Sequence, residues 1–456
     1  MTYEESVRAL MALGRELAAP QQARVQKFGL ENITTLAAAL GNPQRAVRCA
    51  HVAGTNGKGS TAAMLESILR ASGLRTGLYT SPHLERINER IRINGESISD
   101  EDFAGAWTRV REAIEPLLAN GQLAAHPTFF ECITAMAFAA FARKAAEQKI
   151  DFAIYEVGLG GRLDATNIVA PDVTIVTPID FDHENYLGHS IEEIAGEKAG
   201  IIKQEAWVVS AASNPQARAV IAERSRELNA RLVEVDAAWR IDEVSVADGR
   251  YRAVAVETES NLKFDIEPSL PGRFQVGNAL TAATAARLLN ERGVPVTDSA
   301  IVEGIRSARW PGRLERLSAR PAIYLDGTHN PAGARELLRF WKENFAGRRI
   351  CLVYGVMRDK AVDEIVGLLF PAADLVILTE PQQPRAVSAS LLLEMTGDLN
   401  KNCSVVRNPG EALERALELA GPEDAIFATG SLYLVGDLRK YWAARTRTAP
   451  ATAGAP

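Results

Sequence analysis

The chain has 456 residues, more than one ordinary hydrophobic core organises, so two or three domains are expected. Apolar residues make up 47% and charged residues 24%, which excludes a disordered or fibrous chain. A net charge of −6 argues against a nucleic-acid binder but leaves room for a local anion site. Cys49, Cys132, Cys351 and Cys403 form no C-x-x-C pair and no zinc-like spacing with histidine, which reads as reduced thiols of a cytoplasmic protein. No signal-peptide pattern is present at the start. The longest apolar run, residues 132–142, is far shorter than the ~20 residues of a membrane span and reads as a core helix.

In chain order, residues 4–19 and 31–41 are expected as short amphipathic helices, with a Gln-rich, partly basic turn between them. Residues 47–53 read as a strand, followed by a helix to Ser72. Further strands are expected at 152–157, 173–178 and 207–210. Such short β-rich runs, alternating with helical stretches, predict a mostly parallel sheet covered on both faces. Residues 230–270 alternate differently and turn at Asp248-Gly249, which predicts a small antiparallel region. An Ala-rich helix is expected over 277–292. The pattern breaks at Trp310-Pro311-Gly312-Arg313, and a second strand series follows at 323–326, 350–354, 375–379, 404–407 and 425–429. The expected domains are therefore 1–308 and 309–443, with a Thr/Ala/Pro-rich disordered tail at 444–456.

The sharpest local signal is Gly54-Thr55-Asn56-Gly57-Lys58-Gly59-Ser60-Thr61, placed between a strand and a helix. Glycines let backbone N–H groups converge on phosphate oxygens, and the helix N-terminus adds partial positive charge. Lys58 suits the β/γ phosphates, and a hydroxyl at Ser60 or Thr61 suits Mg²⁺. The string departs from G-x-x-x-x-G-K-[ST], since position 52 is Val and Gly59 separates Lys58 from Ser60. That excludes most ordinary kinases and GTPases. Glu156 and Asp182-His183 follow strands, where open parallel sheets collect ligands. By itself, Lys198 near a helix end reads as a surface charge.

The string from His51 to Ser60, Ser81-Pro82-His83-Leu84, Phe130-Glu131, the run from Glu156 to Asn167, Asp182-His183, the run from Glu197 to Ile201 and the run from Asp326 to Pro331 occur in this order. Together they resemble folylpolyglutamate synthase, including its bifunctional form with dihydrofolate synthase activity, within the Mur ligase superfamily. The resemblance covers roughly residues 20–440. It implies an α/β chain with a Mur-ligase-like central P-loop ATPase domain and a mostly parallel sheet. A smaller Rossmann-like C-terminal domain would bind glutamate and close on ATP.

The resemblance further implies site roles. Asn56, Gly57, Lys58, Gly59 and Ser60 would hold the ATP phosphates, with Asn278, Arg313, Asp326 and His329 also at the nucleotide. Two Mg²⁺ sites would draw on Ser60, Ser81, Glu156 and His183. Lys58, His183 and Lys198 are the catalytic candidates, Lys198 as a carbamate. The pterin–benzoate end of the substrate would meet Gln26, Lys27, Phe28, Thr128, Phe129, Phe130, Glu131, Arg162, Leu163 and Asp164. One departure is Phe274 in Gly272-Arg273-Phe274-Gln275, where the family often has His before Gln. Gly355 to Lys360, with Asp359, fits the family pattern.

The expected reaction joins L-glutamate to the carboxylate of tetrahydrofolate, and to dihydropteroate, through an acyl phosphate, releasing ADP and phosphate. Its partners would be small molecules only, with no nucleic acid and no membrane, and the chain would act as a monomer. A Mur-type ligase acting on a peptidoglycan precursor is the alternative. It would carry an extra N-terminal domain, for which the 46 residues before residue 47 are too few. A catalytically silent nucleotide-binding protein would lack Glu156, His183, Lys58 or Lys198, all of which are present.

Overall fold

Short, fully apolar strands need cover on both faces, and the first half of the chain supplies it with interleaved helices. The computed structural model describes residues 1–14, 29–358 and 360–448. An eight-stranded sheet is built from β1 (Arg48–Ala53), β2 (Thr76–Tyr79), β3 (Ile91–Ile93), β4 (Glu96–Ser97), β5 (Phe152–Glu156), β6 (Val173–Val176), β7 (Trp207–Ser210) and β8 (Arg231–Glu234). Its order is β4-β3-β2-β5-β1-β6-β7-β8. The six strands from β2 to β8 in that order run parallel, while β3 and β4 turn back antiparallel at one edge. Strand β1 lies between β5 and β6, so the chain crosses over β1 on passing from β5 to β6. The carboxyl ends of these three strands form the switch point at which such sheets take ligands.

The helices of this region are α1 (Tyr3–Ala12), α2 (Glu31–Ala39), α3 (Lys58–Ala71), α4 (Asp100–Ala119), α5 (Phe129–Ala146), α6 (Glu184–Leu187), α7 (Ile191–Ala199), α8 (Pro215–Glu227), α9 (Val235–Ala238), α10 (Phe274–Glu291) and α11 (Asp298–Ser307). Ser99, Thr128 and Ser190 cap α4, α5 and α7 through their hydroxyls, the last two in full capping boxes with Glu131 and Glu193. Phe138 and Phe141 of α5 pack on Tyr155 of β5, with ring centroids 5.1 and 5.7 Å apart. That contact seats the apolar helix expected around residues 132–142 on the sheet.

A three-stranded sheet follows, ordered β11-β10-β9 from β9 (Trp239–Ala247), β10 (Arg250–Glu257) and β11 (Lys263–Ile266). Strands β10 and β11 pair antiparallel, and Asp248 and Gly249 both take positive φ at the β9–β10 turn. This meets the antiparallel region expected over 230–270 only from Trp239 on, because residues 231–234 form β8, which joins the large sheet parallel to β7.

Two compact units emerge. The first comprises Met1–Ser245, Tyr251–Ser269 and Gln275–Arg309; the second comprises Val246–Arg250, Leu270–Phe274 and Trp310–Pro456. The second has a six-stranded sheet, β12-β13-β17-β14-β15-β16, from β12 (Glu315–Ala319), β13 (Ala322–Leu325), β14 (Ile350–Tyr354), β15 (Leu375–Leu378), β16 (Cys403–Val405) and β17 (Ala425–Thr429). All pairs are parallel except β12 with β13. Its helices are α12 (Pro331–Asn344), α13 (Val362–Leu369), α14 (Ala389–Thr396), α15 (Pro409–Leu419) and α16 (Leu432–Thr448). Tyr324 of β13 stacks on Phe427 of β17 at 5.3 Å, and Phe340 of α12 meets Tyr324 edge-on.

The structure corrects two expectations. Helix α1 ends at Ala12, and Gly14 takes a positive φ that L side chains resist. The rest of the helix expected over 4–19 lies outside the described residues. At the other end α16 runs to Thr448, so residues 444–448 of the expected disordered tail are helical. Ala and Arg there are good helix formers and extend the turns before them. Among the described residues, no helix is long and apolar enough to cross a membrane.

Candidate active site

The loop after β1 is anchored from the neighbouring strand. Thr55 and Asn56 N–H groups donate to the Pro178 carbonyl at 2.9 and 3.3 Å, and the Thr55 hydroxyl donates to the Asp180 carbonyl at 2.9 Å. Gly57 then takes φ +88° and begins α3, and a Cβ there would lie 2.4 Å from Asn278 Oδ1. Glycine is needed for both reasons. Among the described residues, no side chain caps α3. Uncapped N–H groups at a helix start, with positive dipole, suit an anion.

Two lysines converge on this loop. Lys58 Nζ donates to the carbonyls of Gly54 and Thr55 at 3.0 and 3.1 Å, and Lys198 Nζ donates to the same Gly54 carbonyl at 2.9 Å. Lys198 is only 3% exposed. Burial first, and then the Lys58 charge, push its pKa down to about 7, against the opposing pull of Asp182 and Glu197. The reading of Lys198 as an ordinary surface charge therefore fails. Helix α7 turns it inward, which a single sequence position does not reveal.

Strand register gathers the other groups. Val52 of β1 pairs with Glu156, the last residue of β5. The Ser81 N–H, just beyond β2, donates to Glu156 Oε2 at 3.1 Å, beside a cis Ser81-Pro82 bond. His183 sits past β6 with φ +53°, uncommon for a non-glycine residue; its N–H donates to Asp182 Oδ1 at 2.9 Å, and its Nε2 lies 3.8 Å from that oxygen. Gln275 Nε2 donates to the Ser60 hydroxyl at 3.4 Å, and Gln275 Oε1 accepts from Asn278 Nδ2 at 2.9 Å. Gln275 is thus a site residue that motif reading passed over; its i,i+3 spacing from Asn278 on one helix face was the available signal.

Among the described residues, no three His, Cys, Asp or Glu side chains gather as a ready-made metal cage. Mg²⁺ rarely needs one, since it keeps water and takes one or two carboxylates with substrate phosphates. One carboxylate, Glu156, tied to Ser81 at the end of the sheet that also carries the phosphate loop, fits that habit.

Residues 158–167 form a different kind of loop. Asp164 Oδ2 accepts from the N–H groups of Gly158 and Leu159, both at 3.0 Å; Oδ1 accepts from the Thr166 N–H at 2.9 Å and its hydroxyl at 2.5 Å. A Cβ on Gly161 would lie 2.8 Å from the Glu197 carbonyl and 3.2 Å from Lys198 Cα. The loop backbone therefore lies directly on α7. Arg162 pairs with Glu197 at 2.7 Å, and Asn167 Nδ2 donates to the carbonyls of Arg162 and Gly200 at 2.9 and 3.1 Å. Gly158 lies against the Phe130 ring. Thr128 and Glu131 satisfy one another in the α5 capping box, and the Arg90 guanidinium sits 5.3 Å over the Phe129 ring. Of the expected substrate residues, Thr128, Phe130, Glu131, Arg162 and Leu163 keep exposure, whereas Phe129 is buried and Asp164 is buried within its own loop. Gln26, Lys27 and Phe28 lie outside the described residues, as does Asp359.

In the second unit, Asp326 follows β13 with both carboxylate oxygens taken, accepting from the N–H groups of Leu314 and Thr328 at 2.9 Å each. Arg313 Nη1 donates to the Gly312 carbonyl at 3.2 Å. His329 Nδ1 lies 2.7 Å from the Gly327 carbonyl, which only accepts, so that nitrogen carries the proton. Asp326 orders the turn that presents Arg313 and His329.

The sequence matches two domain families, the Mur ligase middle domain over residues 108–286 and the Mur ligase glutamate ligase domain over residues 312–432. It is 38% identical to the dihydrofolate synthase/folylpolyglutamate synthase of Bacillus subtilis over 418 residues, covering 91% of this chain and 95% of that one. Among solved structures, the fold is similar to Mycobacterium tuberculosis folylpolyglutamate synthase complexed with ADP and AMPPCP (TM-score 0.84, 31% identity, 96% and 99% covered). It is likewise similar to Escherichia coli FolC in complex with DHPP and ADP (TM-score 0.82, 31% identity, 98% and 99% covered). The chain belongs to the dihydrofolate synthase/folylpolyglutamate synthase family, ATP-dependent ligases built from Mur ligase domains.

Proposed function

We propose that this chain joins L-glutamate to the carboxylate of a folate, and to dihydropteroate, with ATP consumed to ADP and phosphate. The observation that carries the reading is the convergence of Lys58 and Lys198 on the Gly54 carbonyl, at the sheet end that also bears Glu156.

A carboxylate is a poor electrophile, so its oxygen first attacks the ATP γ-phosphorus and ADP leaves. The glutamate amine then attacks the acyl carbon, loses a proton, and the tetrahedral intermediate expels phosphate as the amide forms. Such chemistry needs positioning and charge stabilisation more than covalent help from the protein. Lys58, with the uncapped start of α3 and residues Asn56 to Ser60, would hold the triphosphate. Asn278 would meet the nucleotide from the Gly57 side. In the second unit, Arg313, Asp326 and His329 would likewise serve the nucleotide. Ser60, Ser81, Glu156 and His183 would hold two Mg²⁺ ions, which when bound supply charge neutralisation on the phosphates.

Lys198 would act as a carbamate. A near-neutral amine attacks CO₂, whereas an ammonium does not, and burial supplies the neutral form. Intact-mass measurement of active enzyme at ambient CO₂ should show the 44 Da adduct (the mass of CO₂); a plain lysine in active enzyme overturns this role. Thr128, Phe130 and Glu131 at the start of α5, with Arg162 and Leu163 on the loop ordered by Asp164, would receive the pterin–benzoate part.

The defining assay is L-glutamate-dependent ADP release, with tetrahydrofolate and dihydropteroate supplied separately. Release with both supports the bifunctional reading, and release with one narrows it. Release with neither, together with turnover of a peptidoglycan precursor, would overturn it.

A further inference from the structure

His51 opens the phosphate-loop string, yet nothing in the proposed reaction uses it. It lies on β1, wholly buried, and its Nε2 is 2.8 Å from the Thr166 hydroxyl. Its Nδ1 is buried and has no hydrogen-bond partner among the described residues. Buried polar groups are costly to orphan, so the ring must gain elsewhere.

The gain is readable from proton counting. The Thr166 hydroxyl has one proton, and Asp164 Oδ1, 2.5 Å away, takes it. Four donors converge on the Asp164 carboxylate and favour its ionised form against the burial that raises its pKa. With its proton committed, the Thr166 oxygen can only accept from His51. His51 is therefore the Nε2–H tautomer, with Nδ1 a bare lone pair, which agrees with Nδ1 lacking a donor. Burial, with the Lys203 charge second, lowers the His51 pKa to about 3, so the ring stays neutral. No ion pair forms here; a neutral relay does.

The relay ends on a loop with several attachments. Asp164 orders the turn at Gly158 and Leu159, immediately after Glu156. The same loop lies on Lys198 through Gly161 and on Phe130 through Gly158. Lys203 Nζ donates to Asn167 O and Oδ1 at 2.8 and 2.7 Å, fixing the far end. Through its bond to Thr166, His51 ties β1 to this loop.

We infer that His51 and Thr166 are positioning residues which, through Asp164, hold the 158–164 loop in register for the pterin–benzoate substrate. The inference rests on the folate-ligase reading given above. Neither residue touches a reacting atom.

The test compares Thr166→Val, which keeps the shape and removes the hydroxyl, with Thr166→Ser, which keeps the hydroxyl. His51→Leu and His51→Gln form the parallel pair, since Gln retains a donor near the Nε2 position. The expected result is a KM for the folate raised about tenfold or more in Thr166→Val and His51→Leu, with the KM for ATP within about twofold of the parent. Thr166→Ser and His51→Gln should recover most of the folate KM. General destabilisation would instead lower the active fraction, and hence kcat, without this split. If Thr166→Val does not fold, ¹⁵N spectra of the parent enzyme decide the tautomer, and His51 protonated at Nδ1 overturns the relay. A parental folate KM in Thr166→Val overturns the inference but leaves the folate reading intact, whereas a parent enzyme inactive on every folate overturns the reading first.

Discussion

Two glycine-rich loops leave adjacent strands of one sheet and end up physically opposite. The loop after β1 begins a helix that no side chain caps, and it draws two lysines toward a single carbonyl. The loop after β5 supplies its own carboxylate, and Asp164 absorbs the N–H groups of Gly158, Leu159 and Thr166. Glycine content alone does not separate the two. What separates them is whether an acidic residue lies a few positions downstream to satisfy the freed donors. The first loop leaves its helix-start donors open to an anion from solution; the second already contains one.

The contrast predicts opposite outcomes for substitutions. Lys58→Ala should cut glutamate-dependent ADP release on the order of 10²–10³-fold or more, with an unchanged thermal midpoint, because it removes charge stabilisation and little packing. Retained turnover would place the triphosphate elsewhere. Asp164→Asn should instead spare the ATP loop, lowering stability by about 1–3 kcal/mol in denaturant unfolding and raising the KM for the folate but not for ATP, because an amide N–H₂ turned toward backbone donors leaves them unmatched. An unfolding midpoint equal to the parent's would break the comparison.

Much of this division was visible beforehand, and some was not. The apolar runs placed β1, β5, β6 and β7 of the large sheet and the strand series of the second unit, because buried parallel strands leave a continuous apolar signature, whereas the short β2, β3, β4 and β8 leave none. Glu156 and His183 stand out in the sequence because they follow strands, where such sheets bind ligands. Lys198 by itself looked like a surface charge; only the packing of α7 on the Gly161 backbone shows it buried against Gly54. Asp164 was expected at substrate, but its partners are its own loop. Thr166 meets His51 across 115 positions, which no local spacing encodes, and Gln275 meets Ser60 across 215, with its spacing from Asn278 the one local trace.

Two smaller effects sharpen the contrast. His51 is held near a pKa of about 3, against 6.5 for a free imidazole, so between those values the unfolded chain binds the extra proton. Stability should fall as pH drops through that window and be indifferent to this group above it. His51→Gln should flatten the acid limb of a denaturation midpoint measured from pH 4 to 7; an unchanged limb would remove His51 from the account. Thr128→Ala, which opens the capped start of α5, should cost about 1 kcal/mol. A null effect there would mean that the α5 cap, unlike the uncapped start of α3, contributes little.

The central claim is that the anion-receptive loop serves activation of a carboxylate. The direct measurement supplies the folate substrate with ¹⁸O in its terminal carboxylate, together with ATP and L-glutamate, and analyses the released phosphate by mass. Attack of that carboxylate on the γ-phosphorus, followed by amide formation, transfers one ¹⁸O to each phosphate. Phosphate carrying no label, at full amide yield, would contradict the acyl-phosphate route.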